Sequence, residues 1–182
     1  EGLDLPGYVR HYEPEVRSHL ETVWNTMREC VARGLRRGGV LPGGLELARK
    51  ARALYGENTK FEPAIMHENR RISAYALAVA EENADNGVVV TAPTCGSAGI
   101  VPAVLYYMHH DCGVSKGEIL DALAVAGVIG NVVKQNASVS GAECGCQAEV
   151  GVACSMAAAA LAQLYELGIA GVECSAEIAL EH

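Results

Sequence analysis

The stretch QAEVGVACSMAAAALAQLYEL, residues 147–167, carries the strongest fold signal in this chain. It is rich in alanine and leucine, which are the best helix formers, and it contains no proline. Its apolar part, Val150 to Leu164, is mostly alanine and falls short of the ~18 residues that a membrane span needs. We therefore predict a long helix from Gln147 to Leu167, and no membrane segment.

Helical patterns continue on both sides of this stretch. Apolar residues at three- and four-residue steps predict an amphipathic helix from Pro14 to Leu35. Ser115 and Glu118 match a capping box, which starts a helix that runs through Val133. Further helical segments are predicted at 45–55, 63–86, 100–110 and 175–182.

These patterns predict the fold class. Six or seven helices against at most one short strand favour an all-α domain, and 182 residues are enough for one domain, residues 1–182, with a sizeable core. The alternative is an α/β fold, which rests only on the strand propensity of Val88 to Thr91. The glycine-rich segment Arg36 to Gly44 is predicted to be a loop.

Composition restricts the classes of partner. The formal net charge of −8 argues against nucleic acid and anionic membranes, because those surfaces select basic patches. A small soluble substrate fits better. Seven cysteines are an odd number in a chain with a large apolar core, so we interpret them as reduced thiols of a cytoplasmic protein. The start at Glu1, without methionine, indicates a fragment or a processed piece.

Two thiols stand among glycines directly before the long helix, in SGAECGCQAEVG at residues 140–151. Gly141 permits close backbone approach, and a helix N-terminus favours the thiolate form of Cys144 or Cys146. Either thiol is a candidate metal ligand or nucleophile, and the alternative is an inert, buried thiol. Cys154 lies roughly 12 Å from Cys146 along a helix axis, which favours core packing for Cys154.

A second candidate site is the segment TAPTCGSAG at residues 91–99. An extended approach, a turn rich in hydroxyls and glycine, and a helix N-terminus gather donors that suit a carboxylate. Thr91, Thr94 and Ser97 are also compatible with ordinary turn and cap roles. Cys95 leaves open a Cys-His hydrolase. Lys134 is the one lysine near the two glycine-rich segments, and no dinucleotide fingerprint or phosphate loop is present.

The segments TAPTCGSAGIVPAVLYY (91–107) and SGAECGCQAEVGVACSMAAAA (140–160) together resemble the catalytic, or alpha-chain, domain of iron-sulfur-dependent L-serine dehydratase. The resemblance covers nearly the whole chain, because it extends through GGVLPGGL (38–45), AYALAVAEENADNGVVV (74–90) and AEIALEH (176–182). It implies a lyase of amino-acid catabolism and gluconeogenesis.

The resemblance also implies a cofactor and partners. Cys146 matches a cysteine that ligates a [4Fe–4S] cluster, whereas Cys144 stands where the family commonly has an apolar residue. Two further cluster cysteines are expected shortly after AEIALEH, so this chain is expected to be C-terminally incomplete, to lack the full cluster and to be inactive alone. A second, beta domain or subunit is expected as well, in a homodimer or an alpha-beta assembly.

The implied reaction converts L-serine to pyruvate and ammonia. The serine hydroxyl would bind an iron that acts as a Lewis acid, a base would remove the α-proton, and no pyridoxal phosphate is expected. Thr91, Thr94 and the N–H groups around Gly96 are candidates for the substrate carboxylate, and Ser140 and Gly141 for the cluster side. Lys134 is a guess for the base. A cysteine or threonine lyase and a non-catalytic thiol-rich domain, structural or metal-binding, are the alternatives.

Overall fold

The computed structural model describes residues 2–56 and 60–181, and in this part of the chain it contains nine α-helices and no β-strand. The prediction of an all-α fold is confirmed. The helices are α1 Leu5–Tyr12, α2 Val16–Arg36, α3 Ala51–Gly56, α4 Ala64–Ala84, α5 Ile100–His110, α6 Lys116–Asn136, α7 Gly141–Cys144, α8 Cys146–Leu164 and α9 Gly168–Leu180.

The α/β alternative is wrong. Val88 to Thr91 has no regular secondary structure, and it pairs with no other segment among the described residues. The one isolated β-bridge among the described residues joins Val40 to Ala48. The valine side chains serve a different purpose, because Val89 and Val90 pack against the core between the helices. The high β-propensity of these valines therefore reflects how well their side chains pack in the core, and it does not lead to a β-sheet here.

Helix α8 forms the centre of the fold and packs against α5, α6 and α9. Its alanines allow close approach of these neighbours, since Ala153, Ala159 and Ala160 are completely buried. On α6, an added Cβ at Gly130 would lie 3.0 Å from the sulfur of Met156. The alanine-rich stretch is therefore a helix, as predicted, and the structure places it in the interior. None of the described helices has both the length and the hydropathy to cross a membrane.

The capping box at the start of α6 is confirmed. The Glu118 N–H donates to the Ser115 hydroxyl at 3.3 Å, and the Ser115 N–H donates to the Glu118 carboxylate at 2.9 Å. Both bonds satisfy donors that a helix start leaves free. The hydrogen bonds from Ser115 also lower the pKa of Glu118. Helix α5 coincides with its predicted segment.

The structure adds a helix, α1, that the sequence patterns did not predict. The pair Pro6 and Gly7 is typical of a loop. In α1, however, Pro6 lies in the first turn of the helix, where proline is tolerated. The Asp4 carboxylate accepts the Gly7 N–H at 2.7 Å and so caps the helix. Arg10 then donates to Asp121 of α6 at 2.9 Å, which holds α1 against the bundle.

The predicted helix at 45–55 is wrong in its first half, because α3 begins only at Ala51. Before it, Gly43 and Glu46 have positive φ angles of 120° and 50°. The carboxylate of Glu81 on α4 accepts the N–H groups of Lys50 at 2.5 Å and Ala51 at 3.1 Å. A residue distant in sequence therefore sets the start of α3.

The last helix is longer than predicted. The sequence suggested 175–182, whereas α9 covers Gly168–Leu180, and His182 lies outside the described residues. Packing explains the difference. The Ser155 hydroxyl of α8 donates to the carbonyl of Ala176 at 2.8 Å, and Val172 is buried in the same contact region. Tertiary contacts with α8 compensate for the weak helix propensity of the glycines in α9.

Candidate functional site

Helices α2 and α4 hold the turn at 91–99 in place. At its entrance, Arg33 of α2 donates to the carbonyl of Val88 at 2.7 Å. In its middle, the Asn83 side chain of α4 donates to the carbonyl of Cys95 at 3.2 Å. Near its end, an added Cβ at Gly99 would lie 2.7 Å from the carbonyl oxygen of Ala76, so glycine allows the turn to approach α4 closely. The turn is therefore fixed before α5 begins.

Within the turn, the predicted hydroxyls form a local network. The Ser97 hydroxyl donates to the carbonyl of Ala92 at 3.3 Å and lies 3.3 Å from the hydroxyl of Thr94. Ser97 is buried, whereas Thr94 is half-buried and Gly96 is exposed. Ser97 thus holds the turn together, and Thr94 and Gly96 remain partly accessible.

The two clustered thiols lie on either side of Gly145, which separates α7 from α8. Gly145 has a φ of 77°, a conformation that favours glycine, and it turns the chain between the two helices. Cys144 ends α7 and Cys146 begins α8, and both are exposed. Cys154 lies further along α8 and is half-buried, and burial raises the pKa of its thiol, which disfavours the thiolate.

Glu149 connects the two glycine-rich segments, although no sequence pattern indicated a role for it. Its carboxylate fills the space beside two glycines. An added Cβ would lie 2.3 Å from Glu149 Oε2 at Gly96, and 2.3 Å from Glu149 Oε1 at Gly141. The Gly141 N–H donates to Oε1 at 3.2 Å. The turn at 91–99, the start of α7 and the first turn of α8 therefore meet at one carboxylate.

This arrangement brings together some of the predicted site residues. Gly96 and Gly141 both contact Glu149, with Thr94 beside Gly96 and Ser140 directly before Gly141. Thr91 lies elsewhere, at a groove of about 620 Å³ between α2, α6 and α8 that is lined mainly by apolar residues. Lys134 is exposed in the last turn of α6 and forms no hydrogen bond or ion pair with another described residue.

Glu149 was missed because its role depends on residues far away in sequence. It lies within the quoted segment GCQAEVG, but a glutamate in a first helical turn is ordinarily explained by the helix dipole. The available signal was the pair Gly96 and Gly141, since a glycine often marks a close approach of another group. Which group approaches them is visible only in the folded chain.

Cys95 is exposed, and no histidine of the described residues forms a hydrogen bond with it. The geometry therefore offers no support for the Cys-His hydrolase.

The described residues contain no group of three or more His, Cys, Asp or Glu side chains that are placed to hold a metal ion. Cys146 is suitable as one ligand, because its thiol is exposed at the start of α8. The end of α9 lies close to this point. The Gln147 side chain donates to the carbonyl of Leu180 at 3.5 Å, and an added Cβ at Gly151 would lie 3.0 Å from the same oxygen.

Comparison with known proteins shows close relatives. Residues 8–182 match the family model described as serine dehydratase alpha chain. The chain is 50% identical over 175 residues to an L-serine dehydratase of Streptomyces coelicolor, covering 93% of this chain and 38% of that protein. It is 48% identical to an L-serine dehydratase of Haemophilus influenzae, covering 92% of this chain and 38% of that protein.

A third relative is L-serine dehydratase 2 of Escherichia coli, which is 47% identical over 193 aligned positions. The alignment covers 100% of this chain and 42% of that protein. The chain therefore spans about two fifths of the length of the curated relatives it matches.

Proposed function

This chain belongs to the serine dehydratase alpha-chain family, and from that membership we propose that the protein carrying it converts L-serine to pyruvate and ammonia. The observation that carries the proposal is the 50% identity, over 93% of this chain, to a protein named L-serine dehydratase. Supporting it, the two segments that we assign to substrate and cofactor meet at Glu149. The reaction makes the protein a lyase that serves amino-acid catabolism and gluconeogenesis.

The turn at 91–99 binds the substrate carboxylate in this proposal. The Thr94 hydroxyl and the N–H groups around Gly96 are the donors, and the N-terminal end of α5 adds favourable dipole charge. Thr91 belongs to the same segment but lies at the separate groove, so we leave it out of the set of carboxylate donors. The hydrogen bonds from Asn83 and Ser97 keep this turn rigid, so little ordering entropy is lost on binding.

Cys146 holds the cofactor in this proposal, as one ligand of a [4Fe–4S] cluster, with Ser140 and Gly141 lining that side. When bound, the cluster supplies a Lewis acid that makes the serine hydroxyl a better leaving group. The described residues provide no complete ligand set, and further cysteine ligands are expected in a longer chain after AEIALEH. The end of α9 lies close to the start of α8, because the Gln147 side chain donates to the carbonyl of Leu180.

Lys134 is our candidate for the base that removes the α-proton. It presents an exposed amino group at the end of α6, shortly before Ser140. The complete protein is proposed to contain a second, beta domain or subunit, consistent with relatives that are much longer than this chain. We place it in the cytoplasm, as a homodimer or an alpha-beta assembly, with its cysteines reduced.

The ligand assignment is tested with Cys146→Ser in the complete enzyme, reconstituted with iron and sulfide without oxygen. We expect the variant to lose the visible absorption of the cluster and the release of pyruvate from L-serine. Cys144→Ser is the matched control, because Cys144 is equally exposed and only two residues away, and it should retain both signals. If Cys146→Ser retains the absorption and the activity, the assignment is wrong.

The same enzyme decides between the functional alternatives. A complete protein that releases no pyruvate from L-serine contradicts the proposed reaction and favours a non-catalytic thiol-rich domain. Comparing L-serine with L-threonine and L-cysteine under identical conditions separates a serine dehydratase from a related lyase.

A further inference from the structure

The carboxylate of Glu149 is a charged group to which the proposed reaction assigns no role. It lies where the proposed substrate turn meets the proposed cluster side, in contact with Gly96 and Gly141. Although Glu149 is half-buried, it takes part in no ion pair with another residue of the described ranges. Solvent still reaches part of this carboxylate, and no cation among the described residues neutralises its charge, so it is available to a positively charged ligand group.

The two oxygens of this carboxylate differ in their environment. Oε1 accepts the N–H of Gly141 at 3.2 Å, which fixes the side chain. Oε2 lies 2.3 Å from the point that a Cβ at Gly96 would occupy, and it accepts no hydrogen bond from the residues that the structure describes. Each carboxylate oxygen has two lone pairs, so Oε2 keeps its full capacity as an acceptor. The glycines leave room for the carboxylate, and any side chain at either position would displace it.

L-Serine presents three polar groups, and the proposed site so far serves two of them. The carboxylate goes to the turn at 91–99 and the hydroxyl goes to the cofactor side, which leaves the α-ammonium. Since ammonium and carboxylate share one carbon atom, the group that binds the ammonium must lie directly beside the turn. Glu149 is in contact with Gly96 of that turn. It also follows Cys146 by three residues, so both side chains project from the same face of α8.

We propose that Oε2 of Glu149 accepts a hydrogen bond from the α-ammonium group of the amino-acid substrate and so selects α-amino acids over hydroxy acids without an amino group. The inference deepens the proposed function and rests on it. Glu149 is a substrate-binding residue in this scheme. Its hydrogen bond with Gly141 ties recognition of the ammonium to the segment on the cluster side.

The test compares two ligands in the complete, cluster-loaded enzyme. L-Serine carries the ammonium, whereas 3-hydroxypropionate has the same carboxylate and hydroxyl but no amino group. In Glu149→Gln we expect the KM for L-serine to rise about 10- to 100-fold, because a charge-assisted hydrogen bond is lost. The inhibition constant of 3-hydroxypropionate should change by less than about threefold, since a neutral amide still accepts the Gly141 N–H.

Two further variants separate charge from shape. Glu149→Asp keeps the charge on a shorter side chain, and it should recover part of the affinity for L-serine. Glu173→Gln removes an exposed carboxylate on α9 and should leave both ligands unaffected. Visible absorption of the cluster should be equal in all of these proteins.

Several outcomes would overturn the proposal. One is a parallel loss of affinity for both ligands, and another is a loss of cluster absorption in Glu149→Gln, because each indicates a purely structural role. If Glu149→Gln does not fold, Glu149→Asp decides the question. The proposal is then contradicted if Glu149→Asp binds L-serine as tightly as the wild type does and also keeps the wild-type preference for L-serine over 3-hydroxypropionate.

Failure of the proposed function is recognised separately. A wild-type enzyme that releases no pyruvate contradicts the dehydratase reaction, yet calorimetric binding of the two ligands to wild type and Glu149→Gln still decides the role of Glu149. A wild type that binds neither ligand overturns both proposals.

Discussion

The carboxylate of Glu82 on α4 is completely buried and collects three guanidinium groups. Arg33 of α2 donates to it, Arg37 donates at 3.1 Å, and Arg49 donates at 3.4 Å. Arg33 also holds the carbonyl of Val88 at the entrance to the turn at 91–99. A single buried charge thus joins α2, α4, the loop before α3 and the candidate site.

Glu82→Gln is therefore expected to lower the free energy of unfolding by about 2–3 kcal/mol. Breaking a fully buried ion pair costs about 3–5 kcal/mol, and solvent around the half-exposed Arg37 reduces this value. Urea unfolding followed by circular dichroism measures the change. Glu21→Gln is the control, since the pair of Glu21 with Lys116 is half-exposed and should contribute less than about 1 kcal/mol. Equal effects of the two substitutions would contradict the importance of Glu82.

Helix α2 approaches α4 closely at Gly34. An added Cβ at Gly34 would lie 2.3 Å from the carbonyl oxygen of Ala78 and 2.8 Å from its carbon. These are backbone atoms of α4 and cannot rotate away. Glycine at this position therefore sets the distance between the two helices that support the turn at 91–99.

Two identical substitutions on different helices test this packing. Gly34→Ala should lower the free energy of unfolding by about 1–3 kcal/mol, because the backbones of α2 and α4 must separate. Gly127→Ala in α6 should raise it by about 0.5–1 kcal/mol, because alanine is the better helix former and no atom lies within 4 Å of the added Cβ. Thermal or urea unfolding gives both values. The same sign for both variants would refute the packing argument.

Across the molecule as a whole, acid stability depends on carboxylates that are paired in the folded state. Hydrogen bonds from Arg70, with a further one from His67, lower the pKa of Glu62 from an ordinary value of 4.5 to about 2. The Arg70 guanidinium lies 2.6 and 2.7 Å from the two Glu62 oxygens. Because the folded-state pKa is lowered, this contribution to stability is present above pH 4.5 and is lost as the pH falls toward 2.

Glu62→Gln should therefore make stability less dependent on pH between about 4.5 and 2. Wild type should lose more of its free energy of unfolding across this interval than the variant does. Unfolding curves at several pH values give the two slopes, and Glu173→Gln, which removes an exposed carboxylate, should keep the wild-type slope. Equal slopes for wild type and Glu62→Gln would show that the pairing with Arg70 does not lower the pKa.

Much of the fold was predictable because its signals are local. The capping box of Ser115 and Glu118 lies within one helical turn, and the period of apolar residues in α2 is visible in any short window. Where tertiary contacts control an element, prediction failed. Helix α3 begins at Ala51 because Glu81 caps it, and α9 forms from Gly168 because α8 supports it.

The features of the candidate site fall into the same two groups, those set by local sequence and those set by tertiary contacts. The sequence by itself determined the all-α class, the family and the position of Cys146 at the start of a helix, since propensity, motif letters and spacing are properties of adjacent residues. Only the tertiary structure decided that Gly96 and Gly141 meet at Glu149, that Thr91 lies at a separate groove, and that Glu82 binds three arginines. The physical reason is that such contacts join residues distant in the chain, and only packing brings them together.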